Sequence, residues 1–215
     1  KLRKKILIPS GYFYFDYLLK NKNFKVKINE ILIAPSWNKN IKDSLNMHFV
    51  DLIDVLIKKN FKVIFRPHPE HFKRSKKILN NINNRFRGQN FTFDVDPNNV
   101  NSMKKAKCLI TDSSGIAIEY MVILKRPVLY LNENDKIHNS EFKDFSTLIT
   151  IDKKFKDNFG YLFKTSDFDK INLLIEDSKI QFFKKLSKLD SFIETNYFHF
   201  GDTKKFLFSN LKKII

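Results

Sequence analysis

A short run of small, hydroxylated residues between two apolar segments carries the clearest chemical signal in this chain. Residues 107–110 predict a buried strand, and residues 116–124 predict a helix. Between them stand Thr111, Asp112, Ser113, Ser114 and Gly115. Such a turn leaves the first N–H groups of the helix without intrahelical partners, and these groups and the helix dipole favour an anion. The pattern indicates a phosphate-binding turn, with an ordinary capped helix as the alternative.

Three further residues could contact a ligand that carries the same phosphate. Glu119 lies one turn into the predicted helix, where its carboxylate could reach a ribose diol. His68 stands between Pro67 and Pro69, which restrict the backbone on both sides. Beside Arg66, a fixed imidazole of this kind indicates contact with a diphosphate or assistance to a leaving phosphate. The alternative is a surface turn that ends a strand.

Other chemistries find little support in the sequence. Ser113 lacks the glycine-elbow context of a hydrolase nucleophile, and neither a dinucleotide fingerprint nor a P-loop lysine motif is present. His71 is interpreted as a residue at a helix start. No Cys or His cluster supports a zinc site with His68, so we expect neither a metal nor another cofactor. The single cysteine, Cys108, cannot form an internal disulfide.

The elements that must position these residues alternate along the chain. Strands are predicted at 30–34, 62–65, 91–93, 108–111, 127–131 and 147–151, and residues 6–9 could end an earlier strand. Helices are predicted between them at 45–59, 72–84, 98–104 and 116–124. This alternation predicts an α/β fold: a Rossmann-like parallel sheet with helices on both faces. The loops after the strands should then converge at one edge of the sheet.

The two ends of the chain follow a different pattern. Residues 1–27 are predicted to be an entry segment or linker, and residues 28–215 a Rossmann-like domain that closes with helices at 167–179, 181–194 and after Asp202. No apolar run is long enough to span a membrane or to form a signal peptide. Because the chain does not begin with Met, we expect it to be a piece of a longer protein.

The net charge of +17 fits a phosphate-rich ligand or an anionic membrane surface. The lysines are spread along the whole chain, and the joint richness in Lys, Asn, Ile and Phe is also what an A+T-biased genome produces. The charge therefore selects neither partner by itself.

Four motifs in order resemble the CDP-glycerol glycerophosphotransferase family, whose members build teichoic acids and related capsular polymers. They span residues 31–37, 66–69, 109–114 and 125–128, and the likeness extends from about Gly11 through residues 200–202 to the end of the chain. The central stretch is also similar to the UDP-GlcNAc 2-epimerases. Both families have a GT-B fold, in which two Rossmann-like domains enclose the active site. The resemblance implies that this chain is the C-terminal, donor-binding half.

The resemblance also assigns roles to the candidate residues. Ser113 and Ser114 with their N–H groups would hold the donor phosphate, His68 would contact the diphosphate or assist its departure, and Glu119 would hold the ribose. The remaining candidates for donor or phosphate contact are Arg66, Thr111, Asp112, Gly115, Ser36, Trp37 and Arg126. For Arg126, a structural brace is the alternative.

The implied partners are a nucleotide-activated donor, either CDP-glycerol or a nucleotide sugar, and a polymer or lipid-linked acceptor. Asn38 stands where the family often has Arg, and Asp-Ser-Ser-Gly replaces the common Asp-Tyr-Ser-Ser at residues 112–115, so the donor is left open. The expected location is the cytoplasm, at the inner face of the cell membrane, and nucleic acid is not an expected partner. A GT-B sugar-nucleotide epimerase and a non-enzymatic basic module that binds nucleic acid or membrane are the alternatives.

Overall fold

A computed structural model describes residues 6–22, 29–37, 47–131 and 149–214. Within these ranges six strands form one parallel sheet in the order β3-β2-β1-β4-β5-β6. The strands are β1 (Glu30–Ile33), β2 (Lys62–Phe65), β3 (Phe91–Phe93), β4 (Ala106–Thr111), β5 (Val128–Leu131) and β6 (Tyr161–Phe163). The order reverses between β1 and β4, which is the topological switch point of a doubly wound sheet.

Helices connect the strands and close the chain. They are α1 (Phe13–Lys20), α2 (Met47–Lys58), α3 (Pro69–Arg74), α4 (Lys76–Phe86), α5 (Val100–Lys105), α6 (Ile116–Leu124), α7 (Ile151–Phe159), α8 (Ile171–Lys184), α9 (Leu186–Asn196) and α10 (Thr203–Ile214), with a 3-10 helix at Thr165–Lys170. Among the residues that the structure describes, no helix is long and apolar enough to cross a membrane.

Alternate side chains of the strands enter two separate cores, one on each face of the sheet. Leu32 and Leu109 pack on one face with α1, α5, α6, α7 and α9. Ile31 and Ile110 pack on the other face with α2, α4 and α8. Strands buried on both faces explain why their sequences are continuously apolar. The predicted fold class, a Rossmann-like parallel sheet with helices on both faces, is confirmed.

Three predicted elements differ from the structure. Of the strand predicted at 147–151, residues 147–148 lie outside the described residues, and Ile151 begins α7, capped by the Thr150 hydroxyl, which accepts the N–H of Lys153. The sixth strand is instead Tyr161–Phe163. The single helix predicted at 72–84 is two helices that meet at Ser75. Residues 6–9, predicted to end a strand, have no regular structure.

The segment that carries α1 packs against both the sheet core and the last helix. Phe15 and Leu18 are buried in the core, and the Asp16 carboxylate accepts the Thr203 hydroxyl over 3.1 Å and the Lys204 N–H over 3.2 Å. Residues 1–5 and 23–28 lie outside the described residues, and the domain boundary at residue 27 stays a prediction.

Gly11 fits a space that no side chain could share. Its φ is +89°, and an added Cβ would collide with the Phe198 carbonyl oxygen and lie 2.7 Å from Thr203 Oγ1. Gly88 has a similar φ of +80°, but its Cβ would meet nothing within 4 Å. Substitution of Gly88 therefore adds backbone strain alone, whereas substitution of Gly11 adds both backbone strain and a steric collision.

We expect Gly88→Ala to lower the free energy of unfolding by about 1 kcal/mol, since it adds only the strain of a positive φ. Gly11→Ala should lower it by about 2–4 kcal/mol, because collision with the segment before α10 is added. Urea unfolding of the two variants and the wild type measures the difference. Equal losses in the two variants would show that α1 is not held against this segment.

Candidate functional site

The loops after β1 and β4 are joined by hydrogen bonds where the strand order reverses. The Ser36 N–H donates to Asp112 Oδ1 over 2.8 Å, and the Thr111 hydroxyl donates to the Ala34 carbonyl over 2.7 Å. Ligands of doubly wound sheets bind in the crevice outside such a point. The structure therefore brings Ser36, Thr111 and Asp112 together at the position where a ligand is expected.

The turn between β4 and α6 presents backbone donors to the outside. Asp112 Oδ1 also accepts the Ser113 N–H, over 2.7 Å. Within the described part of the chain, the N–H groups of Ser114, Gly115 and Ile116 donate to no other atom. A Cβ added at Gly115 would meet nothing within 4 Å, so this side of the turn is accessible. The positive end of a nine-residue helix thus offers several unpaired donors to an anion.

Arg66, which follows β2, is held by its own neighbours. Its Nη1 lies 2.6 Å from Asp94 Oδ2, and its Nη2 donates to the Pro97 carbonyl over 3.3 Å. Asp94 in turn accepts the Ser102 hydroxyl and the Asp96 N–H. With 14% of its side chain exposed, Arg66 primarily braces the loop after β3.

His68 is the N-cap residue of α3. Its Nδ1 accepts the Glu70 N–H over 3.2 Å. An accepting Nδ1 places the proton of the neutral ring on Nε2, which is then the hydrogen-bond donor of this imidazole. The side chain is half-buried at the same edge of the sheet as the turn before α6.

His71 and Trp37 connect α3 to the loop after β1. His71 is fully buried, and its Nε2 lies 3.4 Å from the Ser36 carbonyl oxygen. The Arg74 guanidinium lies 5.2 Å from the centre of the Trp37 ring, within the range of a cation–π contact. No role in the site was predicted for His71, because the burial of a histidine against a distant loop leaves no local signal in the sequence.

Glu119 lies in the first turn of α6 and accepts two side-chain hydrogen bonds. Tyr12 donates its hydroxyl to Oε1 over 3.3 Å, and Asn99 donates its amide to Oε2 over 3.2 Å. Burial raises the pKa of Glu119, while these two hydrogen bonds act in the opposite direction. Sequence reasoning found Glu119 but missed Tyr12 and Asn99, since Tyr12 is 107 residues away along the chain.

Arg126 lies away from the other candidates. Its Nη1 donates to the carbonyls of Lys104 and Ala106, each over 2.7 Å, and to that of Met103 over 3.3 Å. Ala106 is the first residue of β4, so this contact is at the amino-terminal edge of the sheet, opposite the turn before α6. In the structure Arg126 braces the end of α5, which was the alternative for this residue.

The sheet order and the turn at its switch point define a Rossmann-like domain of the kind found in GT-B enzymes. The sequence profile of the family described as CDP-glycerol:poly(glycerophosphate) glycerophosphotransferase matches residues 14–167, more than half of the chain. The chain belongs to this family, as its motifs predicted. No curated protein sequence matches it significantly.

Two solved structures show the same fold at low sequence identity. The wall teichoic acid polymerase TagF is 19% identical, with a TM-score of 0.52 over 91% of this chain and 45% of TagF. The Methanocaldococcus jannaschii UDP-GlcNAc 2-epimerase, in complex with UDP-GlcNAc and UDP, is 16% identical, with a TM-score of 0.58 over 95% of this chain and 54% of the epimerase. The chain thus spans about half the length of these two structures.

The raised pKa of Glu119 predicts that ionisation of this carboxyl group lowers the stability of the folded state. The folded state binds this proton more tightly than the unfolded chain does, so stability falls as the pH rises from the ordinary pKa of 4.5 through the raised value. Glu119→Gln carries no such charge. We therefore expect the variant to gain stability relative to the wild type as the pH rises from about 3 to about 7.

Glu70→Gln is a control for which the opposite pH dependence of stability is expected. Hydrogen bonds from Lys73 and Arg74 lower the pKa of Glu70, so its stabilising effect is present at neutral pH and is lost as the pH falls. This variant should lose stability relative to the wild type as the pH rises. Chemical unfolding across the pH range measures both differences, and a pH-independent difference for Glu119→Gln would contradict the burial of its charge.

Proposed function

We propose that this chain is the donor-binding part of a transferase that uses a nucleotide-diphosphate-activated donor, with CDP-glycerol as the first candidate. The observation that carries the proposal is the turn before α6. There Asp112 fixes the backbone, and the N–H groups of Ser114, Gly115 and Ile116 have no hydrogen-bond partner among the described residues, at the switch point of the sheet. Membership of the glycerophosphotransferase family supports this choice of donor.

In the proposed reaction an acceptor hydroxyl attacks the phosphorus that carries glycerol. A new phosphorus–oxygen bond to the acceptor forms, the bond between the two donor phosphates breaks, and CMP leaves with its electron pair. The acceptor hydroxyl gives its proton to a general base as the new bond forms. The turn before α6 would stabilise the charge on the departing phosphate, and His68 Nε2 would donate to one of its oxygens.

The other candidates take supporting roles in this proposal. Glu119 would accept the ribose hydroxyls, and Ser36 and Trp37 would line the donor crevice from the loop after β1. Arg66 would act chiefly by holding the loop around Asp94. The acceptor would be a polymer or lipid-linked chain, and the net charge of +17 is compatible with binding at an anionic membrane surface.

Calorimetric titration of the chain with CDP-glycerol, CMP, UDP-GlcNAc and UDP tests the donor. We expect the cytidine ligands to bind more tightly, and Ser114→Asp to reduce their affinity by about tenfold or more, because it places a negative charge beside the bound phosphate. Ser187→Asp makes the same change on the exposed face of α9 and should leave the affinity unaltered. Preference for the uridine ligands would contradict CDP-glycerol, and equal losses in both variants would contradict the phosphate site.

His68→Asn separates the two roles of this histidine. Asparagine is a favourable N-cap residue, so α3 should keep its start and the stability should change by less than about 1 kcal/mol. The variant lacks Nε2, and the affinity for CDP-glycerol should fall about tenfold with the loss of one charge-assisted hydrogen bond. Wild-type affinity in this variant would show that His68 serves only as a cap.

A further inference from the structure

Hydrogen bonds from the residue before α1 and from the residue before α5 converge on one carboxylate. Glu119 accepts the Tyr12 hydroxyl on Oε1 and the Asn99 amide on Oε2. Asn99 is itself oriented, because its Oδ1 accepts the Tyr14 hydroxyl over 2.6 Å. With the amide oxygen held by Tyr14, the amide nitrogen is turned toward Glu119. The two carboxylate oxygens are thus each fixed from a different element of the fold.

This arrangement leaves Glu119 able to accept further hydrogen bonds. An ionised carboxylate has about four acceptor positions, and Tyr12 and Asn99 occupy one on each oxygen. Burial, together with the nearby Glu119 charge, raises the pKa of Tyr12 to about 12, so its hydroxyl keeps the proton it donates at neutral pH. One acceptor position on each oxygen therefore remains, which is the number that two adjacent hydroxyl groups require.

The donors are also ordered before any ligand arrives. The Tyr12 ring packs edge-on against Phe15, with centroids 4.9 Å apart, and Phe15 is buried in the core. The Tyr14 ring stacks on Tyr17 at 5.7 Å. Because these side chains are fixed by packing, a ligand that contacts Glu119 would not bear the entropic cost of ordering them.

We propose that Tyr12, Tyr14 and Asn99 are positioning residues that orient the Glu119 carboxylate toward a ribose diol and so make the site selective for ribonucleotides over 2′-deoxyribonucleotides. The inference rests on the proposed function and deepens it, since it names the residues that hold the ribose-binding carboxylate in place. A site built around a hydroxyl group rejects the analogue that lacks it, because its buried acceptor is then left unpaired.

The test compares the affinities of the chain for CDP and 2′-deoxy-CDP, and for UDP and 2′-deoxy-UDP. The wild type should prefer the ribonucleotide of the tighter-binding base by about tenfold or more. Tyr12→Phe and Asn99→Leu should each reduce this preference by about threefold to tenfold, mainly through weaker binding of the ribonucleotide. Tyr17→Phe is the matched control, because it removes the hydroxyl of a tyrosine in α1, the helix that Tyr12 precedes, and that hydroxyl contacts Asn98 instead of Glu119.

The outcomes distinguish the inference from the function on which it rests. If the nucleotides bind and the ribose preference is unchanged in Tyr12→Phe and Asn99→Leu, or falls equally in Tyr17→Phe, the positioning role is overturned while the proposed function stands. If neither CDP nor UDP binds the wild type, the proposed function fails and the inference fails with it. A reduced preference in the two variants, with the control unchanged, supports both.

Discussion

The hydrogen bond from the Ser36 N–H to the Asp112 carboxylate is the contact on which the candidate site depends. The same carboxylate oxygen accepts the Ser113 N–H, so one atom sets both the distance between the β1 and β4 loops and the path of the turn before α6. With that turn fixed, the next N–H groups stand without protein acceptors among the described residues, at the start of a helix that is packed into the core. The preference for an anion then follows from backbone geometry, without a lysine or arginine in the turn.

Much of the fold could be predicted because each strand is short, apolar and followed by a polar turn. The helix predicted at 116–124 has the same bounds in the structure. Over the described residues 149–151 the predicted strand was wrong, because Thr150 caps a helix that begins at Ile151. β6, at Tyr161–Phe163, was not predicted.

The site was predictable only where its residues follow one another in sequence. The stretch from Thr111 to Gly115 can be recognised as a candidate site from consecutive residues, and so can His68 from its two flanking prolines. Tyr12 and Asn99 contact Glu119 only through the tertiary fold. Arg126 braces α5 through backbone carbonyl groups, and because every residue has such a group, the sequence gives no sign of this contact. Spacing along the chain holds no information about either kind of contact.

The order of the strands determines when this site comes into existence during folding. Ser36 and Asp112 are 76 residues apart, and β2 and β3 both lie in the intervening chain. Contacts between residues this far apart form late, because the loop between them must first be closed. A chain still emerging from the ribosome therefore has no crevice until β4 has followed β1 into the sheet. Occupancy of the crevice by a ligand would accordingly mark a domain whose central strands are already paired.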